Sequence, residues 1–239
     1  MTAHRARTWI IVPAAGGGAR FAGSSPKQYA DLAGAPLLSR TLDRLAAIEA
    51  QAIIVALAPG DAHFDRMIGA RRAIEALRCG GVTRAATVRN ALQALATRCE
   101  DDDWVLVHDA ARPCVPRESL ARLIRDVAGD AVGGLLALPL ADTLKRAAAD
   151  GDAPRVLRTE ERSRLWLAQT PQMFRYCVLC AAYARDGASD CTDDAQAIEA
   201  HAVTGACAMP RLVPGSTANI KVTYPGDLAL AAAILRTQA

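Results

Sequence analysis

Short, continuous apolar runs alternate along this chain with segments of helical periodicity, and this alternation limits the folds open to it. The apolar run from Trp9 to Val12 is followed by leucines at helical spacing between residues 37 and 48, and then by a second apolar run from Ala52 to Leu57. Such runs are typical of strands buried on both faces of a parallel sheet. Strand, helix and strand with short connections imply a right-handed crossover.

The same alternation continues to the end of the chain. Further strands are predicted at 105–107, 135–138 and 220–223, and further helices at 84–97, from Pro116, at 175–185 and 193–201, and after Pro225. Residues 71–79 fit either a strand or a helix, and a strand that ends before Gly80-Gly81 is favoured. This order predicts an α/β fold, a Rossmann-like, mostly parallel twisted sheet covered by helices on both faces. Without a repeat or a linker, residues 1–239 are expected to form one domain, with a polar insertion at about 141–164.

Composition excludes several classes of function. The net charge is +3 and no basic run exceeds a pair such as Arg71-Arg72, so a nucleic-acid partner is not expected. No apolar stretch approaches the ~20 residues that span a bilayer, and the run from Trp9 to Val12 is too short for a signal peptide. A cytoplasmic protein without a membrane partner is predicted. The seven scattered cysteines fit free thiols, with Cys177 and Cys180 as buried thiols on one helix.

The use of lysine is unusual. The chain has 25 arginines but only three lysines, Lys27, Lys145 and Lys221. Arginine and lysine are not interchangeable where a compact ammonium group is needed. The few lysines are therefore candidates for sites where a guanidinium group does not fit.

A glycine-rich loop follows the first predicted strand. Gly16, Gly17 and Gly18 allow close approach of the backbone to a ligand and turn N–H groups toward an anion, and Arg20 and Lys27 add positive charge. The loop is not a P-loop, because no Gly-Lys-Ser/Thr follows, and it lacks the G-x-G-x-x-G spacing of dinucleotide sites. It predicts a phosphate-binding loop, against the alternative of a merely flexible one.

A second motif, His108-Asp109-Ala110-Ala111-Arg112-Pro113, follows the strand at 105–107. Open α/β sheets build their ligand sites at the carboxyl ends of strands. Asp109 is there a suitable oxygen ligand for Mg²⁺ carried in with nucleotide phosphates, and the alternative is a structural ion pair with Arg112. His108 is interpreted as a packed residue, and the other histidines form no pattern for zinc.

Six motifs in order resemble one enzyme family. They are Ser25-Pro26-Lys27-Gln28-Tyr29, His108 to Pro113, Asp142-Thr143-Leu144-Lys145-Arg146, Thr170-Pro171-Gln172-Met173-Phe174, Thr192-Asp193-Asp194 and Asn219-Ile220-Lys221-Val222-Thr223. Together they resemble the 2-C-methyl-D-erythritol 4-phosphate cytidylyltransferases. The resemblance implies a homodimer held by an extended β-arm at about 141–164, and conversion of CTP and methylerythritol phosphate to the cytidine-diphosphate product and pyrophosphate.

The resemblance also implies roles for individual residues. The expected nucleotide-binding residues are Ala14, Ala15, Gly16 and Gly18, with Gly81, Val82 and Thr87 at the base and ribose and Asp109 on Mg²⁺. The expected sugar-phosphate residues are Arg112, Thr143, Arg162, Thr170 and Thr192, of which Thr143 and Arg162 would be lent to the partner's site. The chain departs from the family at Ala218, where an acidic residue is common, which leaves Asp109 as the one named metal ligand.

The chemistry can be argued from the residues themselves. A phosphate monoester oxygen is already a competent nucleophile, so attack on an α-phosphate needs no general base. It needs relief of repulsion between two anions and stabilisation of the charge on the transition state and pyrophosphate. Arg20, Lys27 and Lys221 with Mg²⁺ are a sufficient set, and Lys27 and Lys221 are predicted to bracket the reacting α-phosphate.

Two alternatives remain open from the sequence. A ribitol-5-phosphate cytidylyltransferase has similar motifs, although the Ala110-Ala111 pair and Arg162 favour methylerythritol phosphate. A catalytically silent nucleotide-binding protein is the alternative from another class. It is disfavoured because Arg20, Lys27, Asp109 and Lys221 are all present.

Overall fold

The computed structural model describes residues 6–17, 21, 26–148 and 153–238. The strands are β1 (Thr8–Ala14), β2 (Asp31–Leu32), β3 (Ala35–Pro36), β4 (Ile53–Leu57), β5 (Ile74–Leu77), β6 (Trp104–Val107), β7 (Gly133–Pro139), β8 (Lys145–Ala147), β9 (Val156–Thr159), β10 (Trp166–Arg175) and β11 (Arg211–Pro214). The helices are α1 (Leu37–Leu45), α2 (Phe64–Met67), α3 (Arg84–Ala94), α4 (Arg117–Val127), α5 (Tyr176–Tyr183), α6 (Asp194–Ala202) and α7 (Asp227–Thr237).

Seven strands form the main sheet, in the order β11-β7-β10-β6-β1-β4-β5. Every pairing in it is parallel except those of β10, which runs antiparallel to both β6 and β7. From β1 the chain proceeds to β4 and β5 on one side and then returns to β6 on the other side. The order of strands therefore reverses between β1 and β6, where open α/β sheets form a crevice for ligands.

Helices cover both faces of this sheet. One face of β1, β4 and β6, which includes Ile11 and Ile54, packs against α3, α5 and α6. The opposite face, which includes Ile10 and Ile53, packs against α1, α2 and α4. Because strand side chains alternate between faces, a strand with apolar residues at every position must be buried on both. The predicted α/β fold with a mostly parallel, doubly covered sheet is confirmed.

One predicted strand is wrong. Residues 220–223 form no strand, because their backbone makes hydrogen bonds to loops and not to a neighbouring strand. The N–H of Val222 donates to the carbonyl of Ala111 over 2.9 Å. Ile220 and Val222 instead pack against α7. The strand after α6 is β11, which pairs with β7 at the edge of the sheet. An edge position tolerates the proline that ends β11 at Pro214.

The polar segment at 141–164 contains an exposed pair of strands. β8 and β9 pair antiparallel in a separate sheet, and every residue of both strands is exposed. Val156 and Leu157, both on β9, are 64% and 58% exposed. The segment therefore contains an exposed β pair with apolar side chains facing outward.

Two smaller expectations also have structural outcomes. All seven cysteines are free, and Cys177 and Cys180 lie on α5 as predicted, although they are half-buried and not fully enclosed. In the described part of the chain, no helix is both long enough and apolar enough to cross a membrane.

A buried carboxylate ties the start of β1 to the start of β6. Asp103 is fully buried and accepts hydrogen bonds from Arg7 Nη2 at 2.7 Å and Trp9 Nε1 at 3.1 Å. Burial raises the pKa of Asp103, but the hydrogen bonds from Arg7 and its other donors outweigh it and hold the pKa well below its ordinary value. A carboxyl group with a lowered pKa in the folded state stabilises the protein above its unfolded pKa, and this stabilisation is lost in acid.

Replacing Asp103 with asparagine is expected to lower the free energy of unfolding by about 3 kcal/mol at pH 7, because Arg7 loses its buried partner. The deficit should shrink as the pH falls below about 4, where the unfolded carboxyl takes up its proton. Urea unfolding at pH 7 and at a pH below about 4 measures the loss in the free energy of unfolding. Glu75→Gln is the control, because its ion pair with Arg98 is exposed and such pairs contribute about 0–1 kcal/mol. Equal deficits in the two variants would contradict the prediction.

Candidate active site

An open pocket of about 580 Å³ lies at the carboxyl ends of the parallel strands. Three loops surround it, namely the loop after β1, the loop between β5 and α3, and the loop after β6, and Lys221 joins them from the segment before α7. The lining residues are Pro13, Ala14, Ala15, Gly16, Gly17, Lys27, Gln28, Gly81, Val82, Thr83, Arg84, Thr87, Asp109, Ala110, Ala111 and Lys221. The pocket sits at the reversal of strand order between β1 and β6, as expected for this class of sheet.

Most of the predicted nucleotide-binding residues converge on this pocket. Its walls contain seven of them, together with Lys27 and Lys221: Ala14, Ala15, Gly16, Gly81, Val82, Thr87 and Asp109. Two other predicted residues, Gly18 and Arg20, lie outside the described residues. The roles assigned to all of these residues stay predictions, but nine of the residues line the same pocket.

Close packing fixes the loop between β5 and α3. The N–H of Gly80 donates to the carbonyl of Leu57 over 2.8 Å. A Cβ atom added at Gly80 would lie 2.7 Å from that oxygen and would also overlap the side chain of Ala15. The Gly81 N–H donates to Thr87 Oγ1 over 3.1 Å, and the Thr87 hydroxyl donates to the carbonyl of Thr83 over 2.9 Å. Glycine at position 80 therefore allows this loop to approach the loop after β1.

Gly80→Ala is expected to destabilise the protein by about 1–3 kcal/mol and to weaken nucleotide binding, because the added methyl group must displace Ala15 from the pocket wall. Thermal unfolding and calorimetric titration with CTP measure the two effects. Gly60→Ala is the matched control, since a Cβ atom there meets nothing within 4 Å. A Gly80→Ala variant that behaves like Gly60→Ala would show that this close approach is unimportant.

Asp109 lies at the centre of a cluster of positive charges. Its Oδ1 accepts from Arg84 Nε at 3.0 Å, and its Oδ2 is 2.8 Å from Lys221 Nζ and 3.5 Å from Arg112 Nε. Burial raises the pKa of this carboxyl group, but the charges of Arg84 and Lys221 outweigh burial and keep the pKa well below its ordinary value. Asp109 is therefore ionised at neutral pH. The ion pair with Arg112, which was the alternative interpretation of this motif, is present, but it is longer than the contacts of Asp109 with Arg84 and Lys221.

His108 and Thr170 orient the backbone of Asp109. The Asp109 N–H donates to Thr170 Oγ1 over 2.9 Å, and that hydroxyl lies 3.2 Å from His108 Nδ1. His108 Nε2 lies 3.0 Å from the carbonyl of Arg112. Burial lowers the pKa of His108 to about 4, so the ring is neutral at pH 7. A neutral ring with its proton on Nε2 donates to Arg112 and accepts from Thr170, which supports the interpretation of His108 as a packed residue.

Lys27 and Lys221 approach each other although they are distant in sequence. Lys27 Nζ donates to the carbonyl of Val222 over 2.7 Å, directly beside Lys221. The segment around Lys221 is fixed by Asn219, which is buried and donates from Nδ2 to the carbonyl of Thr170 over 2.8 Å. Two of the three lysines therefore lie in the walls of one pocket, and Lys145 lies on β8, where it donates to Thr159 Oγ1.

The predicted sugar-phosphate residues fall into two groups. Thr170 and Arg112 pack around Asp109, and Arg112 Nη1 donates to the carbonyl of Asn219 over 2.7 Å. Thr143 and Arg162 are exposed residues of the 141–164 segment, and Thr192 is an exposed residue just before α6. None of these five is among the described residues that line the pocket. Within this single chain, Thr170 and Arg112 therefore lie behind the pocket wall against Asp109, and Thr143, Arg162 and Thr192 are not among the residues that line the pocket.

Sequence reasoning missed Arg84 and Asp194. Arg84 begins α3 and lines the pocket, where it bridges Asp109 to Asp194, with Arg84 Nη2 2.8 Å from Asp194 Oδ2. Both residues occur in motifs that the sequence made visible, the Gly80-Gly81-Val82-Thr83-Arg84 stretch and Thr192-Asp193-Asp194. Their pairing could not be read from the sequence because 110 positions separate them.

The residues present fit a metal ion that arrives with its ligand. In the described part of the chain, no group of three or more His, Cys, Asp or Glu side chains is placed to hold a metal ion. Among the described lining residues, Asp109 is the only acidic one. Mg²⁺ is commonly held by one or two carboxylates together with substrate phosphates and waters. A single ionised carboxylate in a pocket that is also lined by Lys27, Arg84 and Lys221 suits that mode of binding.

Comparisons with known proteins agree with each other. The family model described as 2-C-methyl-D-erythritol 4-phosphate cytidylyltransferase matches residues 8–237. A relative of that name from Dechloromonas aromatica is 51% identical over 237 residues, covering 97% of this chain and 99% of the relative. Another from Laribacter hongkongensis is 52% identical over 231 residues, with 96% of each covered.

Solved structures with similar names share the fold. A crystal structure of 4-diphosphocytidyl-2C-methyl-D-erythritol synthase has a TM-score of 0.82 and 35% identity, and covers 98% of this chain and 100% of that one. The 2-C-methyl-D-erythritol 4-phosphate cytidylyltransferase of Francisella tularensis has a TM-score of 0.79 and 32% identity, with 96% of this chain and 100% of that one covered. The similarity therefore extends along nearly the whole chain in both sequence and structure.

Proposed function

Because the chain belongs to the 2-C-methyl-D-erythritol 4-phosphate cytidylyltransferase family, we propose that the pocket between β1 and β6 transfers the cytidylyl group of CTP to 2-C-methyl-D-erythritol 4-phosphate. The observation that carries this proposal is the convergence of Lys27, Lys221 and Asp109 on one pocket below a glycine-rich loop. These residues come from three separate segments and supply the charges that a phosphoryl transfer needs.

The reaction is an in-line displacement at the α-phosphate of CTP. An oxygen of the methylerythritol phosphate monoester forms a bond to the α-phosphorus. The bond between this phosphorus and the oxygen that bridges the α- and β-phosphates breaks, and pyrophosphate leaves with the electron pair. No proton has to be removed from the nucleophile. Lys27 and Lys221 both line the pocket, and their ammonium groups would reduce the repulsion between the anions and stabilise the transition-state charge. The N-terminus of α3, at the pocket wall, adds its positive dipole end.

Asp109 would hold Mg²⁺ together with the phosphates of CTP, and the ion would neutralise charge on the triphosphate and the departing pyrophosphate. Gly81, Val82 and Thr87, which also line the pocket, would contact the base and ribose. Two phosphorylated small-molecule substrates also fit the cytosolic location predicted from the sequence.

The exposed strands β8 and β9 are proposed to be a dimerisation arm. Thr143 and Arg162 on this segment are exposed and do not line the chain's own pocket, and Val156, Leu157 and Leu167 present apolar side chains outward. A second copy of the chain would cover these apolar groups, and the arm would bring Thr143 and Arg162 to the partner's sugar-phosphate site.

Release of pyrophosphate from CTP tests the proposed function. With Mg²⁺ present, we expect release to depend on 2-C-methyl-D-erythritol 4-phosphate and to be far slower with ribitol 5-phosphate. Faster release with ribitol phosphate would identify the alternative acceptor. No release with either would favour a silent nucleotide-binding protein, provided that calorimetry shows that the same preparation binds CTP.

Arg162→Ala is expected to raise the KM for the sugar phosphate by about tenfold and to leave the KM for CTP within about twofold, because one charge-assisted contact to the acceptor is lost. Arg158→Ala is the matched control on the same arm, since Arg158 bonds Glu160 at 3.0 Å. Steady-state kinetics with each substrate varied in turn measures both constants. An unchanged KM for the sugar phosphate would remove Arg162 from the site.

A further inference from the structure

Arg84 connects the pocket to a buried polar chain behind it. Its Nε donates to Asp109 Oδ1 at 3.0 Å, and its Nη2 donates to Asp194 Oδ2 at 2.8 Å. The other oxygen of Asp194 accepts from the hydroxyl of Tyr183 at 2.6 Å. Tyr183, Asp194, Arg84 and Asp109 therefore form one continuous series of hydrogen bonds, here called the relay, which ends at Lys221 in the pocket.

Each member of the relay belongs to a different element. Tyr183 ends α5, Asp194 begins α6, Arg84 begins α3, and Asp109 follows β6. Asp194 is fully buried and Tyr183 is 2% exposed, so their side chains are held by the packed layer of α3, α5 and α6. The far end of the relay is therefore enclosed in the core, and its near end is a carboxylate that is 7% exposed at the pocket.

The geometry of Arg84 suits this connection and no simpler side chain replaces it. Its planar guanidinium group contacts two carboxylates through two different nitrogens, whereas an ammonium group is a single point charge. Arg84 occupies Oδ1 of Asp109, which leaves Oδ2 directed toward Lys221 and the pocket. The backbone of Asp109 is fixed separately by Thr170. The orientation of the carboxylate therefore depends on Arg84 at Oδ1 and on Lys221 and Arg112 at Oδ2.

We propose that Arg84 is a positioning residue for the cytidylyl transfer, and that the relay through Asp194 and Tyr183 fixes the orientation of the Asp109 carboxylate. The inference rests on the proposed role of Asp109 in that reaction. Arg84 does not perform the chemistry in this proposal. It acts by keeping one oxygen of Asp109 available, in a fixed direction, to Lys221 and to the cation that accompanies CTP.

Tyr183→Phe tests the relay from its far end, because it removes one hydroxyl group that lies outside the pocket. We expect kcat to fall about fivefold, which corresponds to about 1 kcal/mol, with a rise of no more than about twofold in the KM for CTP. Tyr176→Phe is the matched control. Tyr176 lies on the same helix and is also buried, but its hydroxyl donates to the carbonyl of Leu92 at 3.3 Å and is not part of the relay.

Variants of Arg84 test the pocket end. Arg84→Lys keeps the charge but can reach only one carboxylate well, so its kcat should lie between those of the wild type and Arg84→Gln. A readout apart from turnover is calorimetric titration with CTP, with and without Mg²⁺. Arg84→Gln should lose most of the gain in affinity that Mg²⁺ gives, and Tyr183→Phe should lose part of it. Thermal unfolding of each variant separates these effects from loss of the fold.

The outcomes separate the relay from the proposed function. If Tyr183→Phe and Tyr176→Phe have the same kcat and the same response to Mg²⁺, the relay is wrong. If Arg84→Gln keeps the wild-type kcat and the full gain in CTP affinity that Mg²⁺ gives, the positioning role is also wrong. If the wild type releases no pyrophosphate from CTP with either acceptor, the proposed function fails. If Asp109→Asn keeps normal turnover, the role of Asp109 on which the relay rests fails while the proposed function stands. Should Tyr183→Phe not fold, the kcat of Arg84→Gln and its response to Mg²⁺ still decide the question.

Discussion

Asp109→Asn is expected to reduce kcat by about a thousandfold or more while the protein still folds and CTP still binds. The magnitude follows from mutations of single groups that stabilise developing charge, each of which costs roughly 10²–10³ in rate, with the loss of a metal contact in addition. In this pocket the effect has two parts. The amide is a poorer ligand for Mg²⁺, and Arg84 and Lys221 lose the negative charge that now holds them in place.

The rate of pyrophosphate release measures this effect over a series of Mg²⁺ concentrations, and circular dichroism checks the fold. The variant should require more Mg²⁺ for half-maximal rate if Asp109 contacts the ion. Asp43→Asn is the control, because Asp43 makes an exposed ion pair with Arg71 away from the pocket. Turnover within about tenfold of the wild type in Asp109→Asn would show that the carboxylate serves only to pair the surrounding cations.

The strands that position the site could be predicted, because their sequences fit only a strand that is buried on both faces of a sheet. A run such as Ile53–Leu57 is apolar at every position and flanked by loops. As a strand it can bury all of its side chains only when both faces of the sheet are covered. From the order of β1, β4 and β6 it follows that their carboxyl ends share one edge, and Asp109 and the glycine-rich loop come directly after two of those strands. Local pattern was therefore sufficient to predict which loops meet.

The parts that were missed depend on partners that the local pattern does not contain. β10 includes Pro171 and a shift of register between Ala168 and Gln172, so it lacks the regular alternation of a strand. Residues 220–223 have the composition of a strand, but their hydrogen bonds go to Ala111 and to Lys27. These positions are determined by loops that approach one another in the folded protein, and that information is not local in the sequence.

The same distinction applies to charge. Lysine was expected at the site because it is rare in this chain, and the structure places Lys27 and Lys221 together in the pocket. Arg84 is one of 25 arginines, so the composition of the chain gave no reason to single it out. The structure separates it from the others by its two carboxylate partners and its place at the start of α3.

Lys221→Arg and Lys27→Arg are each expected to lower kcat by about a hundredfold or more while the KM for CTP changes little, because the compact ammonium group contacts charge that develops in the transition state. The charge is conserved, so an effect of this size would come from shape: a planar guanidinium group must find room between Asp109 and the carbonyl of Val222. Lys145→Arg is the matched control on exposed β8. The three substitutions are chemically identical, and near-normal turnover in all three would mean that the scarcity of lysine carries no functional information. A hundredfold loss confined to positions 27 and 221 would show that two of the three lysines are retained for the reaction itself.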